Sequence, residues 1–335
     1  MDLDREPLAI SVVEHDDTGR VSFSDVPDRL IPALVEAFGE ERVARAIHPS
    51  DPERAFWMSL PVMPKRTPWP RFKKLFKNGE LEKRVRSIGE VRPAPYFMTA
   101  INLSDEPVLG KTGVVYFVCK KGCHFCQYRD FEEHTVDPEG LARRMLALQA
   151  GGADNVQFLS PTAYTKAIVV AIYLAAQRGF SLPIVHKSEG EDSPEDLALL
   201  DGLVDVYVPD AKFMSPDWSA RIGLPATYPA RMQACIQEMY RQVGPLTRRA
   251  EDSILHGSGV LVRHLLMPHG VPEMREVLTF VKSIDERLPA HIMTGYEPLH
   301  DAANVEGIDR PVTPGEIHAA TQAARKVNLE FSIVR

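Results

Sequence analysis

The chain is poor in cysteine, has no long apolar run and carries no surplus of positive charge. Only four of its 335 residues are cysteines. Three of these cluster and the fourth, Cys235, stands alone, which excludes a disulfide framework. No stretch approaches the roughly eighteen apolar residues of a membrane span, and Met1-Asp-Leu-Asp-Arg-Glu lacks the apolar core of a signal peptide. A net charge of −7 gives no general attraction to nucleic acid or to anionic lipid. Internal repeats and low-complexity segments are missing too. What is present is an ordinary composition, 44% hydrophobic and 25% charged, on a chain long enough to bury a large core. The expectation is a cytoplasmic protein with no membrane partner and no nucleic-acid partner.

The cysteines carry the chemistry. Val114-Val-Tyr-Phe-Val118, apolar and β-branched, reads as a buried strand and runs into Cys119-Lys-Lys-Gly-Cys123-His-Phe-Cys126. The thiols therefore sit on the loop leaving the strand's carboxyl end. Three thiolates at this spacing suit three corners of a four-iron cluster, and no fourth cysteine is near, so one iron is left for a ligand from outside the protein. A structural zinc site with His124 as fourth ligand is the competing reading, on a cramped loop. Cys235 falls in the apolar pattern of a helix and reads as inert core.

After the cysteines, strands alternate with helices. Strand-like runs are Val156–Leu159, Pro183–His186, Val204–Val208, Gly259–Met267 and His291–Met293. Helices are expected over Pro138–Gln149, Thr165–Gln177, a short stretch from Ser193, Tyr228–Gln242, Glu273–Arg287 and Pro314–Lys326. Six β-then-α units imply a parallel sheet with helices outside, as a partial barrel or as an open doubly wound sheet. Either one binds ligand at the carboxyl ends of its strands. Polar residues collect there: Ser160 and Thr162, Lys187 and Ser188, Asp210 and Lys212, Arg263 and His264, Tyr296 and Glu297. His186, His264 and His269 are given no acid–base role.

C-x3-C-x2-C after a first strand, with aromatic Phe125 before the third cysteine, resembles the cluster motif of radical S-adenosyl-L-methionine (SAM) enzymes. Leu199–Phe213, Glu238–Gly244 and Leu261–Pro268 resemble the branch related to pyruvate formate-lyase activating enzyme, over about residues 113–330. The resemblance implies a partial (β/α)6 TIM-like barrel over 113–335. It implies a [4Fe-4S] cluster on Cys119, Cys123 and Cys126, with SAM bound to the open iron. Reductive cleavage to a 5′-deoxyadenosyl radical would then abstract hydrogen from a small-molecule or peptide substrate. It further implies Phe125 near the adenine, and Asp210, Lys212 and Arg263 on SAM, with Ser188 near the ribose. The family's Gly-Gly-Glu is replaced by Phe158-Leu-Ser-Pro-Thr162, so Ser160 or Thr162 takes over that contact. With one cysteine to spare no auxiliary cluster can form, and a flavodoxin- or ferredoxin-like electron donor is implied.

Residues 1–112 read as a mostly helical and irregular extension. Asp28–Ile47 has helical periodicity and Pro61–Pro70 reads as irregular chain. Lys65–Arg86 carries nine Lys or Arg against two Glu, interleaved with Trp69, Phe72 and Phe76. This is either a platform for RNA or acidic peptide or a solvated amphipathic helix that packs Phe72 and Phe76 on the barrel. A cover of this length over the barrel mouth favours a substrate pocket. Two alternatives stand beside that: an activase that installs a glycyl radical on a partner enzyme, and a non-catalytic metal-binding or redox-sensing module.

Overall fold

The computed structural model describes residues 12–15, 20–23, 70–96, 102–106, 110–119, 121–126, 134–247 and 257–334. The helix expected over Asp28–Ile47 and nearly all of the Pro61–Pro70 stretch lie outside them. In chain order the strands are β1 Val12–His15, β2 Arg20–Phe23, β3 Ala94–Tyr96, β4 Asn102–Glu106, β5 Gly110–Tyr116, β6 His134–Val136 and β7 Asn155–Leu159. They continue with β8 Ile184–Lys187, β9 Val206–Tyr207, β10 Gly259–Val260, β11 Val262–Leu265, β12 Ala290–Met293 and β13 Phe331–Val334. Two antiparallel pairs, β1 with β2 and β3 with β6, stand apart from the main sheets.

The main sheets are β10-β9-β8-β7-β5-β4 and β11-β12-β13, parallel throughout except for β4 at the edge. Backbone hydrogen bonds make them one. Leu261 alone separates β10 from β11, and its N–H donates to the Tyr207 carbonyl at 2.9 Å. Arg263 N–H donates to Pro209 O at 2.9 Å, and Ala211 N–H to Arg263 O at 2.7 Å. The segment Gly259–Leu265 thus runs beside β9 and its extension on one side and β12 on the other. Seven parallel strands result, and no ladder joins β13 to β4 or β5 among the described residues, as in a partial barrel.

Helices Pro138–Ala150, Thr165–Gln177, Pro194–Leu200, Tyr228–Val243, Val271–Ile284 and Pro314–Val327 follow successive strands and pack side by side. Their starts are encoded locally. Asp137, Ser193 and Thr313 each accept a hydrogen bond from a first-turn N–H, a proline follows each, and Thr313 with Glu316 closes a capping box. Leu141, Met145, Ile168, Ile172, Met232, Ile236, Val277 and Val281 are buried against the sheet's outer face. Each such side chain contributes about 1.5–3 kcal/mol of burial free energy. Strand parity divides the two faces. Val156 and Phe158 enter that outer core, with the Phe158 ring 6.0 Å from Phe117. Gln157 therefore faces inward, as do Val185 and Lys187.

The structure adds a seventh parallel strand, β13, to the six read from sequence, and a short helix Pro216–Arg221 after β9. Helices Phe72–Lys77 and Glu80–Ile88 pack where the strands begin. Phe72 is fully buried and stacks on Phe180, centroids 5.7 Å apart, and Phe76 meets Tyr173 at 6.1 Å. Arg71 donates from its backbone to Asp205 at 2.9 Å and from its guanidinium to Val204 O at 3.0 Å. Arg84 donates to the carbonyls of Leu199 and Asp201. Both phenylalanine rings are used in packing, as in the amphipathic-helix reading; Trp69 lies outside the described residues. Among the described residues no helix is long and apolar enough to cross a membrane.

Candidate functional site

The cysteine loop leaves β5 at the carboxyl end of the sheet, as its sequence position requires. Cys119, Cys123 and Cys126 are in no disulfide, and each is partly accessible. The loop is tied down from several sides. Lys121 Nζ lies 2.7 Å from Glu191, whose side chain is fully buried, and Arg231 approaches the same carboxylate at 3.4 Å. His124 N–H donates to Ile222 O at 2.9 Å, and its carbonyl accepts from Ala302 N–H at 3.3 Å. Gly223, at φ +84°, lets the chain pass under the loop: a Cβ there would stand 2.4 Å from Gly122 O and 2.7 Å from the His124 ring. Phe125 packs edge-on against Tyr296, centroids 5.6 Å apart. The Tyr296 hydroxyl donates to Ile308 O at 2.6 Å, so packing is what that tyrosine does here.

Charged strand ends surround these thiols. Lys212 Nζ and Asp210 Oδ2 are 2.6 Å apart. Burial alone would neutralise both, yet each holds the other charged, with Arg263 adding to the pull on Asp210. The Lys212 N–H donates to the Tyr228 hydroxyl, which donates in turn to Asp210 O, both at 3.0 Å. Arg263 reaches across β12 to the Met293 sulfur with its Nε at 3.1 Å. Thr162 donates its hydroxyl to the Glu189 carboxylate. Burial and then Glu189 push the Cys119 thiol above its usual range. Burial also raises Cys123, against the nearby Lys212 ammonium.

The structure thus gathers Cys119, Cys123, Thr162, Asp210, Lys212 and Arg263 at one end of the sheet. Ser160 sits at the β7 turn with φ +57°, its N–H donating to Lys187 O. Ser188 is buried, and its hydroxyl accepts from Gly190 N–H at 2.9 Å, as turn chemistry rather than as an open contact. Glu189, Glu191 and Lys121 were missed in sequence. Their signal was the acidic run Glu189-Gly-Glu-Asp192 directly after a strand end, which reads equally well as a helix cap before Pro194. His186 pairs with Asp192 at 2.9 Å in the outer layer, and Cys235 donates to the same carboxylate at 3.7 Å. Both therefore lie on the helix side of the sheet and not on its inward face. His264 is buried under the site with Nδ1 2.9 Å from Ala211 O, and burial lowers its pKa to about 4.

Among the described residues no three Cys, His, Asp or Glu side chains converge as the ligands of a single ion would. The donor set is nonetheless three accessible thiols on one anchored loop. A multi-iron group, which takes thiolates at separate irons, fits it better than one tetrahedral zinc.

No protein-family model matches the chain. It is 24% identical over 261 residues to the uncharacterized protein MJ0674 of Methanocaldococcus jannaschii, covering 73% of this chain and 71% of that one. Among solved structures it is similar to a domain of a pyruvate-formate lyase-activating enzyme from Bacteroides vulgatus, with TM-score 0.40 and 10% identity, over 55% of this chain and all of that one. Streptococcus suis SuiB bound to precursor peptide SuiA is similar over 91% of this chain and 62% of its own, with TM-score 0.46 and 12% identity. In the cysteine motif on the loop that leaves its first parallel strand, the chain resembles the radical SAM enzymes.

Proposed function

We propose that the protein is a radical SAM enzyme that takes hydrogen from a small-molecule or peptide substrate. The observation that carries this reading is the three-thiol loop, anchored at the carboxyl ends of parallel strands and ringed by Glu189, Asp210, Lys212 and Arg263. Cys119, Cys123 and Cys126 hold the [4Fe-4S] cluster. When bound, it supplies the electron that cleaves SAM and so yields the 5′-deoxyadenosyl radical.

The chain's own residues bind and orient. SAM brings an ammonium, a carboxylate and ribose hydroxyls, which need an acceptor, a cation and mixed partners respectively. Glu189, beside Cys119 and held by Thr162, is the acceptor for the ammonium, in place of the carboxylate missing after β7. Lys212 and Arg263 serve the carboxylate or ribose oxygens, and Asp210 keeps Lys212 charged and in place. Phe125 offers its ring to the adenine. Cys235 is buried in the helix layer, so the electron comes from an external flavodoxin- or ferredoxin-like donor.

Anaerobic reconstitution tests this. About four irons and about four sulfides per chain are expected, with a reduced-cluster EPR signal that changes on adding SAM. Dithionite should then release 5′-deoxyadenosine, and Cys119→Ala, Cys123→Ala and Cys126→Ala should each abolish it. A zinc-loaded protein whose spectra ignore SAM would refute the reading.

A further inference from the structure

Beyond their last named residues, β8 and β9 go on exchanging backbone hydrogen bonds until a side chain takes over. Val208 N–H donates to His186 O at 2.9 Å, Ser188 N–H to Val208 O at 3.2 Å and Asp210 N–H to Ser188 O at 3.0 Å. A regular parallel ladder would continue with Gly190 N–H on Asp210 O, then Lys212 N–H on Gly190 O. Here Gly190 N–H turns back to the Ser188 hydroxyl at 2.9 Å. Asp210 O accepts from the Tyr228 hydroxyl, and Lys212 N–H donates to it, both at 3.0 Å. One phenol oxygen thus stands in for residue 190 in two successive rungs. Glu189 O lies 3.5 Å from the same hydroxyl.

Tyr228 is the first residue of the helix Tyr228–Val243 and is fully buried. Its ring would pack as well without the oxygen, but Lys212 N–H and Asp210 O would then be left unpaired. The residues that it holds by their backbones are Glu189, Asp210 and Lys212. Their side chains are the charges gathered beside the thiols: Glu189 bears on Cys119, and the Asp210–Lys212 pair on Cys123. Gly190 fixes the same spacing from the other side. At φ +79° its backbone presses on the β9 loop, and a Cβ there would stand 2.2 Å from Asp210 O.

Resting on the enzyme reading above, we propose that Tyr228 is a positioning residue for the amino-acid head of SAM. Its hydroxyl sets the separation between Glu189, the acceptor for the ammonium, and Lys212, a cation for the carboxylate. It touches no ligand and acts through the backbones of those two residues. Its effect is therefore confined to the charged head and does not extend to the nucleoside.

SAM and 5′-methylthioadenosine, a nucleoside without the amino-acid head, serve as probes. The full chain with its cluster reconstituted is titrated with each by anaerobic calorimetry. Tyr228→Phe should bind SAM about tenfold more weakly, the order of one net buried hydrogen bond. Its affinity for methylthioadenosine should stay within about twofold of wild type, with iron content and circular dichroism unchanged. The KM for SAM in 5′-deoxyadenosine release should rise in step, with kcat at saturating SAM retained. Gly190→Ala, which forces the same two loops apart, should show the same selective loss. Equal SAM affinity in wild type and Tyr228→Phe, or equal losses for both probes, would overturn the inference. If both variants are isolated only unfolded, the hydroxyl serves folding alone and the inference likewise falls. A wild-type chain that takes up no iron and ignores SAM sinks the enzyme reading, and this inference with it. Wild-type binding of SAM beside an indifferent Tyr228→Phe sinks the inference and leaves the enzyme reading standing.

Discussion

Gly223 shows how closely a single residue can govern the cysteine loop without contributing a thiol. Its φ of +84° and the 2.4 Å approach to Gly122 O leave no room for a side chain. Gly223→Ala must move the loop or the turn beneath it. Reduced cluster occupancy after reconstitution is expected, with secondary structure unchanged by circular dichroism; full occupancy would mean that the loop yields. The neighbouring ion pair works in the same direction. Glu191 is completely buried and relies on Lys121 from the loop and Arg231 from a helix, so the loop's position is set by charge as well as by sterics. Neither residue announces itself in sequence. A lysine between two cysteines reads as solvated, and only the fold brings the acidic run after β8 beneath it.

At the scale of elements, the two helices Phe72–Lys77 and Glu80–Ile88 are fastened at the start of the strands by one fully buried ring and two arginines. Phe72→Ala should cost about 3–5 kcal/mol. Urea denaturation measures this directly, and a loss under about 1 kcal/mol would show that the ring's burial contributes little. The alternation of strand and helix was legible because apolar runs are followed by local punctuation: a capping residue and proline at Asp137, Ser193 and Thr313, and a terminal glycine at Gly151 and Gly244. β13 was not, since Leu329–Val334 is short and follows the last helix with no crossover of its own to mark it. The division of Gly259–Met267 into two strands at Leu261 escaped too, because it depends on the curvature of the sheet and not on residue type. The cysteine triplet and the polar strand ends were legible as a site, since residue type and position at a strand's end suffice for that. Which partner each hydroxyl takes was not: Ser188 is spent on its own turn, whereas Thr162 donates to Glu189 from the next crossover.

Across the whole molecule, buried neutral histidines give stability a pH dependence. His264 has a folded pKa of about 4, below its usual 6.5. The unfolded chain therefore binds the proton first, and this contribution to stability is complete above about 6.5 and is lost as pH falls toward 4. Asp210 and Lys212 are the charged groups that bear on it. His264→Asn should flatten the stability curve between pH 6.5 and 4 by about 3 kcal/mol relative to wild type. Urea midpoints taken across that range check this, and parallel curves would place the titration elsewhere. His291 shifts in the same direction, so the single exchange isolates only part of the slope.

The fastening of the cysteine loop has one more consequence. Lys121, His124 and Gly122 are held by residues from three separate crossovers, Glu191, Ala302 and the Ile222–Gly223 turn, with contacts that involve no thiol. Most of the conformational entropy of the segment is thus surrendered during folding, before any metal would arrive. If the cluster is bound as proposed, its insertion would amount to filling a prepared socket: the pace would be set by the supply of iron and sulfide, and loss of the metal would leave the receptacle ready for another round.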